Sequence, residues 1–207
     1  MQNPTRRREN TRARLMDAGY AVFAEVGLDA ASVEAICERA GFTRGAFYSN
    51  FVSKDELFVE LATAVAERKL GSVTERVREL RAQDQPPSTI QQIVRAVLDT
   101  AVDDPLGVVL MSEVKLRAMR DAETAERYRR WERGVCDRVT GIIRGLAEVY
   151  GVRLRVPAED FARIMLDVWE ATATASVIDR LDQEQMRILA VARMEQIAVA
   201  LVDDLPR

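Results

Sequence analysis

The chain has 207 residues, 48% of them hydrophobic, which is enough to bury one large core or two smaller ones. Its net charge of −3 argues against indiscriminate binding to nucleic acid, and the lack of any histidine removes histidine-based acid–base chemistry and histidine metal ligands. Cys37 and Cys136 suggest neither a disulfide framework nor a zinc ribbon. No apolar run approaches bilayer length and the charged N-terminus lacks a signal peptide's apolar stretch, so a cytoplasmic location away from the membrane is expected.

Charge is concentrated at the start of the chain. Residues 1–14 contain Arg6, Arg7, Arg8, Arg12 and Arg14 against Glu9 alone. Such a basic arm can track phosphates or enter a minor groove; a solvated tail is the alternative. The first predicted helix runs from about Thr11 to Val26, with Leu15, Ala18, Val22 and Phe23 on one face and Gly27 at its end.

Residues 32–55, SVEAICERAGFTRGAFYSNFVSKD, predict two short helices joined by a tight turn. Ser32 is an N-cap with Glu34 in the first turn, where a carboxylate suits the helix dipole. Val33, Ile36, Cys37 and Ala40 form the buried stripe, and Gly41 can take the left-handed conformation that ends a helix. Thr43 caps a second helix of about two turns, which would not survive alone in water and needs Phe47 and Phe51 as anchors. Gly45 and Ser49 then face outward, with Ala46, Tyr48 and Asn50 on the flanks. A short, nearly bare helix held at a fixed angle is a device for entering the DNA major groove. A small helical core with a turn glycine and no ligand is the plainer alternative. Ser53 and Glu56 read as a capping box for a long fourth helix, and Lys54 at its N-terminus is a candidate phosphate contact.

That fourth helix is predicted to reach Arg81, where Asp84-Gln85-Pro86-Pro87 breaks the chain. Ser88 or Thr89 caps a helix to about Val102. Asp104-Pro105 opens another, carrying Leu106, Val109, Leu110, Val114 and Leu116. A long helix spans about Glu123 to Tyr150 and stops at Gly151; Val152 to Val156 is expected to be a loop. Pro157 opens a helix to about Ile178, and Asp182 caps the last, to about Val202. The predicted architecture is all-α with about nine helices: a three-helix helix-turn-helix domain over residues 1–55 and a larger helical domain over 56–207.

Two features of the larger domain bear on function. The last two helices, about 157–178 and 183–202, carry stripes that include Ile164, Val168 and Ala175 on one and Leu189, Arg193, Ile197 and Leu201 on the other. One amphipathic pair only half-covers itself, so a two-fold four-helix bundle is the natural completion; packing within one chain is the alternative. Met111, Glu113, Val114, Arg117, Tyr128, Trp131, Cys136, Phe161, Trp169 and Thr172 mix aromatic, soft and polar groups suited to a mostly apolar small molecule, although such residues also serve as ordinary core. Catalytic motifs are absent: there is no phosphate-binding glycine loop and no nucleophile elbow, and the carboxylate pairs Asp103-Asp104 and Asp203-Asp204 suit solvated helix ends. No cofactor and no metal are expected.

Thr11 to Leu61 resembles the N-terminal domain of the TetR family of bacterial transcriptional regulators, through LMDAGYAVFAEVG, SVEAICERAGFTRGAFY and the YSNFVSKDEL junction. The resemblance implies Thr43, Tyr48 and Lys54 on phosphates and Arg44, Gly45, Ala46 and Asn50 near bases. Cys37 stands where that family usually has alanine, and Asn50 where a histidine or tyrosine is frequent. The expectation is therefore a homodimeric repressor on a pseudo-palindromic double-stranded operator, released by a mostly apolar effector. A DNA-binding protein without an effector and an all-α enzyme are the alternatives.

Overall fold

A computed structural model of the chain describes residues 4–82, 87–99 and 104–203. Among the described residues there are nine helices and no strand longer than a single bridge. They are α1 (Pro4–Ala30), α2 (Val33–Ala40), α3 (Arg44–Tyr48), α4 (Lys54–Arg81), α5 (Ile90–Leu98), α6 (Pro105–Ala118), α7 (Ala122–Tyr150), α8 (Ala158–Ile178) and α9 (Gln183–Leu201). The chain is all-α. It packs as two compact units, Met1–Val65 and Ala66–Arg207, divided inside α4. The first unit extends past residue 55 because the opening turns of α4 supply its core: Leu57 and Phe58 are 0% exposed, and Leu61 and Ala62 are also buried.

In the first unit α1 buries Leu15, Ala18, Val22 and Phe23, the face its periodicity marks, and Phe23 meets Phe58 edge-on at 5.7 Å. Gly27 departs from helical geometry at φ 75°, ψ 170°, yet helix resumes to Ala30, so the glycine kinks α1 instead of ending it. At the other end α1 begins at Pro4, seven residues before the expected start at Thr11, so the backbone of Arg6 to Arg8 is helical. Nothing is described of the Arg6 side chain. α2 is capped by Ser32, whose side chain accepts from the Ala35 amide, and ends at Gly41 with φ 70°. α3 is a single stretch of five residues. Phe47 lies within it and Phe51 just beyond it, both buried.

The second unit is built on α7, α8 and α9. Thr89 caps α5, and Asp104 caps α6 with Pro105 at the first helical position. Residues 83–86 and 100–103 lie outside the described residues, and with them most of the expected Pro-Pro break, the expected helix end at Val102, and Asp103; Asp204 also falls outside. On α6 Leu110 and Val114 are buried, whereas Val109 and Leu116 are exposed. Asp121 caps α7, and Gly151 ends it in the left-handed region at φ 64°. Pro157 is the N-cap of α8, one position before the expected first turn, and Asp182 with Gln185 forms a full capping box on α9.

Val152 to Val156 is not a free loop. Leu154 bridges Val202, the Arg155 amide donates to the Leu201 carbonyl at 2.9 Å, and the Asp203 amide donates to Arg153 at 2.9 Å. The reason is an alternation of period two. Val152, Leu154 and Val156 pack on a core of Val94, Phe161, Met194, Ala198 and Val202, while Arg153 and Arg155 point outward to Asp203. Thr172 and Ser176 are 0% exposed on α8, where small side chains let α9 approach closely.

Candidate nucleic-acid interface

The first unit presents α3 on a scaffold of α1, α2 and the start of α4. A helix of five residues has no independent stability, so its position depends on its ends and its anchors. The Thr43 hydroxyl accepts from the Ala46 amide at 3.3 Å. Phe47 is wholly buried and stacks against Phe51 at 5.6 Å. At the turn, Arg14 donates to the Ala40 carbonyl at 2.8 Å and covers the Phe42 ring at 4.7 Å. Arg12 donates to the Asn50 carbonyl at 2.5 Å, pairs with Glu60 and lies 4.3 Å from the centre of the Phe51 ring. Two arginines counted with the basic arm thus hold the two ends of α3 in place.

The outward face of α3 is exposed at Arg44, Gly45 and Tyr48 and half-exposed at Ala46. A Cβ at Gly45 would meet only Thr43 Oγ1, at 3.8 Å, so the face is open. Tyr48 is 50% exposed and rests edge-on against Phe47 at 5.4 Å, a fixed platform with a hydroxyl at its rim. Arg44 pairs with Glu34 Oε1 at 2.6 Å and lies 5.9 Å from the Tyr48 ring centre. Tyr48 and then Glu34 hold its guanidinium firmly in the charged form. Glu34 was not marked by any sequence period, because ten residues and a turn separate it from Arg44. Arg8 reaches the same edge, donating to the Ser49 carbonyl at 3.2 Å; Arg7 is exposed. Burial, then the Glu34 carboxylate, pushes the Cys37 thiol upward, so it stays protonated and serves as packing.

Two of the expected DNA contacts have hydrogen-bond partners within the chain. Lys54 does not project a free ammonium: its Nζ donates to the Leu28 and Ala31 carbonyls, each at 2.8 Å, beyond the Gly27 kink. It satisfies carbonyls that a broken helix end leaves without partners. Asn50 donates from Nδ2 to the Ala46 carbonyl at 2.8 Å and to Ser49 Oγ at 3.2 Å, while its Oδ1 is buried without a partner. Reading adenine takes both amide atoms, and neither is offered here. The Ser53–Glu56 box is also altered. Ser53 Oγ accepts from the Glu56 amide at 3.1 Å, but the Glu56 carboxylate takes the Val52 amide and not that of Ser53.

The effector-pocket residues do not converge on one cavity. Phe161 and Trp169 belong to the α8–α9 core, and Val114 and Cys136 are buried in α6 and α7. Thr172 donates to the Val168 carbonyl at 2.7 Å and accepts from Arg193 at 3.1 Å. That bond uses Arg193, expected at the dimer surface, inside the chain; Val168 and Leu201 likewise pack on the internal core. Ile164, Ala175, Leu189 and Ile197 are half-exposed. Met111 and Arg117 are half-buried on α6. Tyr128 sits 5.7 Å from Trp131, and burial followed by the Glu132 and Glu170 carboxylates drives its phenol upward. A cleft of about 350 Å³ between α4 and α7 is lined by Glu67, Arg127, Arg130, Trp131, Gly134 and Arg138, and shares only Trp131 with the expected set. Among the described residues no cluster of acidic or cysteine side chains could hold a metal ion, and no helix is long and apolar enough to cross a membrane.

Residues 15–61 match the family described as bacterial regulatory proteins, tetR family. The chain is 29% identical over 103 residues to the HTH-type transcriptional regulator AcrR of Shigella flexneri, covering 50% of this chain and 47% of that protein. It is 35% identical over 115 residues to an uncharacterized HTH-type transcriptional regulator of Mycobacterium tuberculosis, covering 54% and 58%. The chain thus spans about half the length of these relatives. A TetR transcription regulator from Haloarcula marismortui shares the fold, with a TM-score of 0.72 at 20% identity over 94% of this chain and all of that one. The family match falls on the helix-turn-helix described above, so residues 15–61 are similar to the tetR family of bacterial regulatory proteins.

Proposed function

We propose that this chain is a sequence-specific transcriptional regulator that binds a pseudo-palindromic DNA operator as a homodimer, acts as a repressor and is released by a small-molecule effector. The observation that carries the reading is the presentation of α3. A cleared face at Gly45 and Ala46 is flanked by exposed Tyr48 and Arg44, and rigid anchors hold it from behind. Thr43, Tyr48, Arg7 and Arg8 position the backbone, with Arg6 preceding them in sequence, and Arg44 reads a guanine edge. The names of the relatives, transcriptional regulators of the helix-turn-helix type, support the same reading. α4 is one helix from Lys54 to Arg81 and crosses the division between the units, which makes it the element through which an effector would act.

DNA selected from a random pool supplies the test. In a mobility-shift assay, Tyr48→Ala is expected to weaken binding across sequences. Arg44→Ala is expected to lose about 1–3 kcal/mol of discrimination at one base pair. Unchanged affinity and preference in both variants would remove the assignment.

A further inference from the structure

We propose that the α4–α7 cleft is a binding site for a small planar anion, an aryl carboxylate or aryl phosphate, in place of the mostly apolar molecule that composition suggests. The inference rests on the effector-responsive regulator described above and names its ligand class. The cleft, about 350 Å³, lies at the small end of ligand sites. Arg127, Arg130, Gly134 and Arg138 recur on α7 at spacings of three and four, so they share one face of that helix. Gly134 opens the wall between the arginines, since a Cβ there would meet nothing within 4 Å.

The charge of this cleft is not balanced from within. Its lining holds three guanidiniums and one carboxylate, Glu67, which pairs with Arg138 at 2.6 Å. Among the described residues Arg127 has no ion pair, and Arg130 has only Glu126 at 3.9 Å. Glu126 is shared in addition with Arg129 at 3.3 Å and Arg133 at 3.8 Å, so one carboxylate serves three cations. Guanidiniums in this state are suited to a carboxylate or phosphate, which they bind through paired hydrogen bonds. Trp131 supplies an aromatic wall beside them. Its Nε1 is shut from solvent and has no hydrogen-bond partner, so no polar contact fixes the ring against turning onto a planar guest.

The same geometry supplies a route to α4. An anion that draws Arg138 away from Glu67 breaks the ion pair that ties α7 to α4, and α4 is the helix that starts at Lys54 in the DNA-binding unit.

The test uses the full chain with 1-naphthoate and phenyl phosphate as probes and 1-naphthamide as the neutral counterpart. Calorimetry on the natural sequence is paired with fluorescence of a Trp169→Phe variant, in which Trp131 is the one remaining tryptophan. At least one anion is expected to bind saturably, quench Trp131 and weaken as salt rises, whereas the amide does not bind. Which anion binds tells carboxylate from phosphate. Arg127 and Arg130 are exposed, so the R127Q/R130Q double variant keeps its fold; it is expected to lose about tenfold or more in affinity, and R129Q little. No binding by either anion, equal binding of the amide, or undiminished binding in the double variant would overturn the site. Operator binding is measured in parallel. An anion that binds the cleft without changing DNA affinity supports the site and removes its effector role.

Discussion

Lys54 shows how one side chain's role depends on what the fold leaves without a partner. Its position at a helix N-terminus beside a helix-turn-helix suggests a phosphate contact, yet α1 ends at Ala30 and leaves the Leu28 and Ala31 carbonyls without helical partners, and the ammonium satisfies both. Hydrogen bonds to a charged group contribute about 1.5–3 kcal/mol each. Lys54→Met is therefore expected to destabilise the first unit by about 2 kcal/mol or more in urea unfolding, while leaving the salt dependence of operator binding unchanged. A phosphate contact would instead lower the slope of log affinity against log salt by about one. Asn50 is the parallel case. Its place near the end of α3 was legible, but the choice between reading a base and closing its own helix depends on a χ angle and on Arg12, which arrives from 38 residues away. Residue roles that depend on local spacing, such as the caps at Ser32 and Thr43, were legible. Those that depend on a distant partner, such as Glu34 with Arg44, were not.

At the scale of elements, the turn and the short helix carry the geometry of the interface. Gly41 has φ 70°, a region costly for any side chain with a Cβ, and Thr43 supplies the side-chain cap of a five-residue helix. Gly41→Ala and Thr43→Ala are each expected to lower stability by about 1–2 kcal/mol and operator affinity by more than unfolding alone explains, because both loosen the angle of α3. Paired thermal melts and mobility shifts check this. The segment from Val152 to Val156 shows what short-range patterning hides: its alternation of apolar residue and arginine was visible, but a lone strand has no meaning until α9 ends beside it. Asp203 fastens that junction, and Arg155 followed by Arg153 holds its carboxyl below the ordinary aspartate range. A depressed carboxylate contributes stability that is full above the ordinary value of about 3.9 and is lost as pH falls through the lower folded value. Asp203→Asn should therefore be less stable than the natural chain near neutrality and approach it below about pH 4. Denaturation midpoints measured across that range would show the two curves converging.

At the scale of the molecule, the nine helices among the described residues and their order were legible because amphipathic periods, caps and prolines are local signals, whereas the first unit runs to Val65 and not to the expected residue 55. Which face of each late helix turns inward was less so. On α9 the internal core takes Met186, Ala190, Met194 and Ala198, a stripe displaced from the one that runs through Leu189, Arg193 and Ile197. That displacement sharpens the expectation for the dimer. Ile178 is 73% exposed at the end of α8, and Ile188 and Val199 are exposed on α9, so both helices keep large apolar side chains outside the core that the chain closes for itself. Burial of one such isoleucine contributes about 1.5–3 kcal/mol, and a two-fold axis counts each contact twice. A four-helix bundle between two copies would cover them. Ile188→Glu would place two carboxylates in that interface without partners, while leaving the fold of each protomer intact because the residue makes no part of the internal core. The expected result is a dimer for the natural chain in sedimentation equilibrium at micromolar concentration, with a melting temperature that rises with protein concentration. The variant should sediment as a monomer, melt independently of concentration and lose most of its operator affinity, since each recognition helix would then bind its half-site alone. A monomeric natural chain, or a variant that remains dimeric, would place the partner of these faces elsewhere.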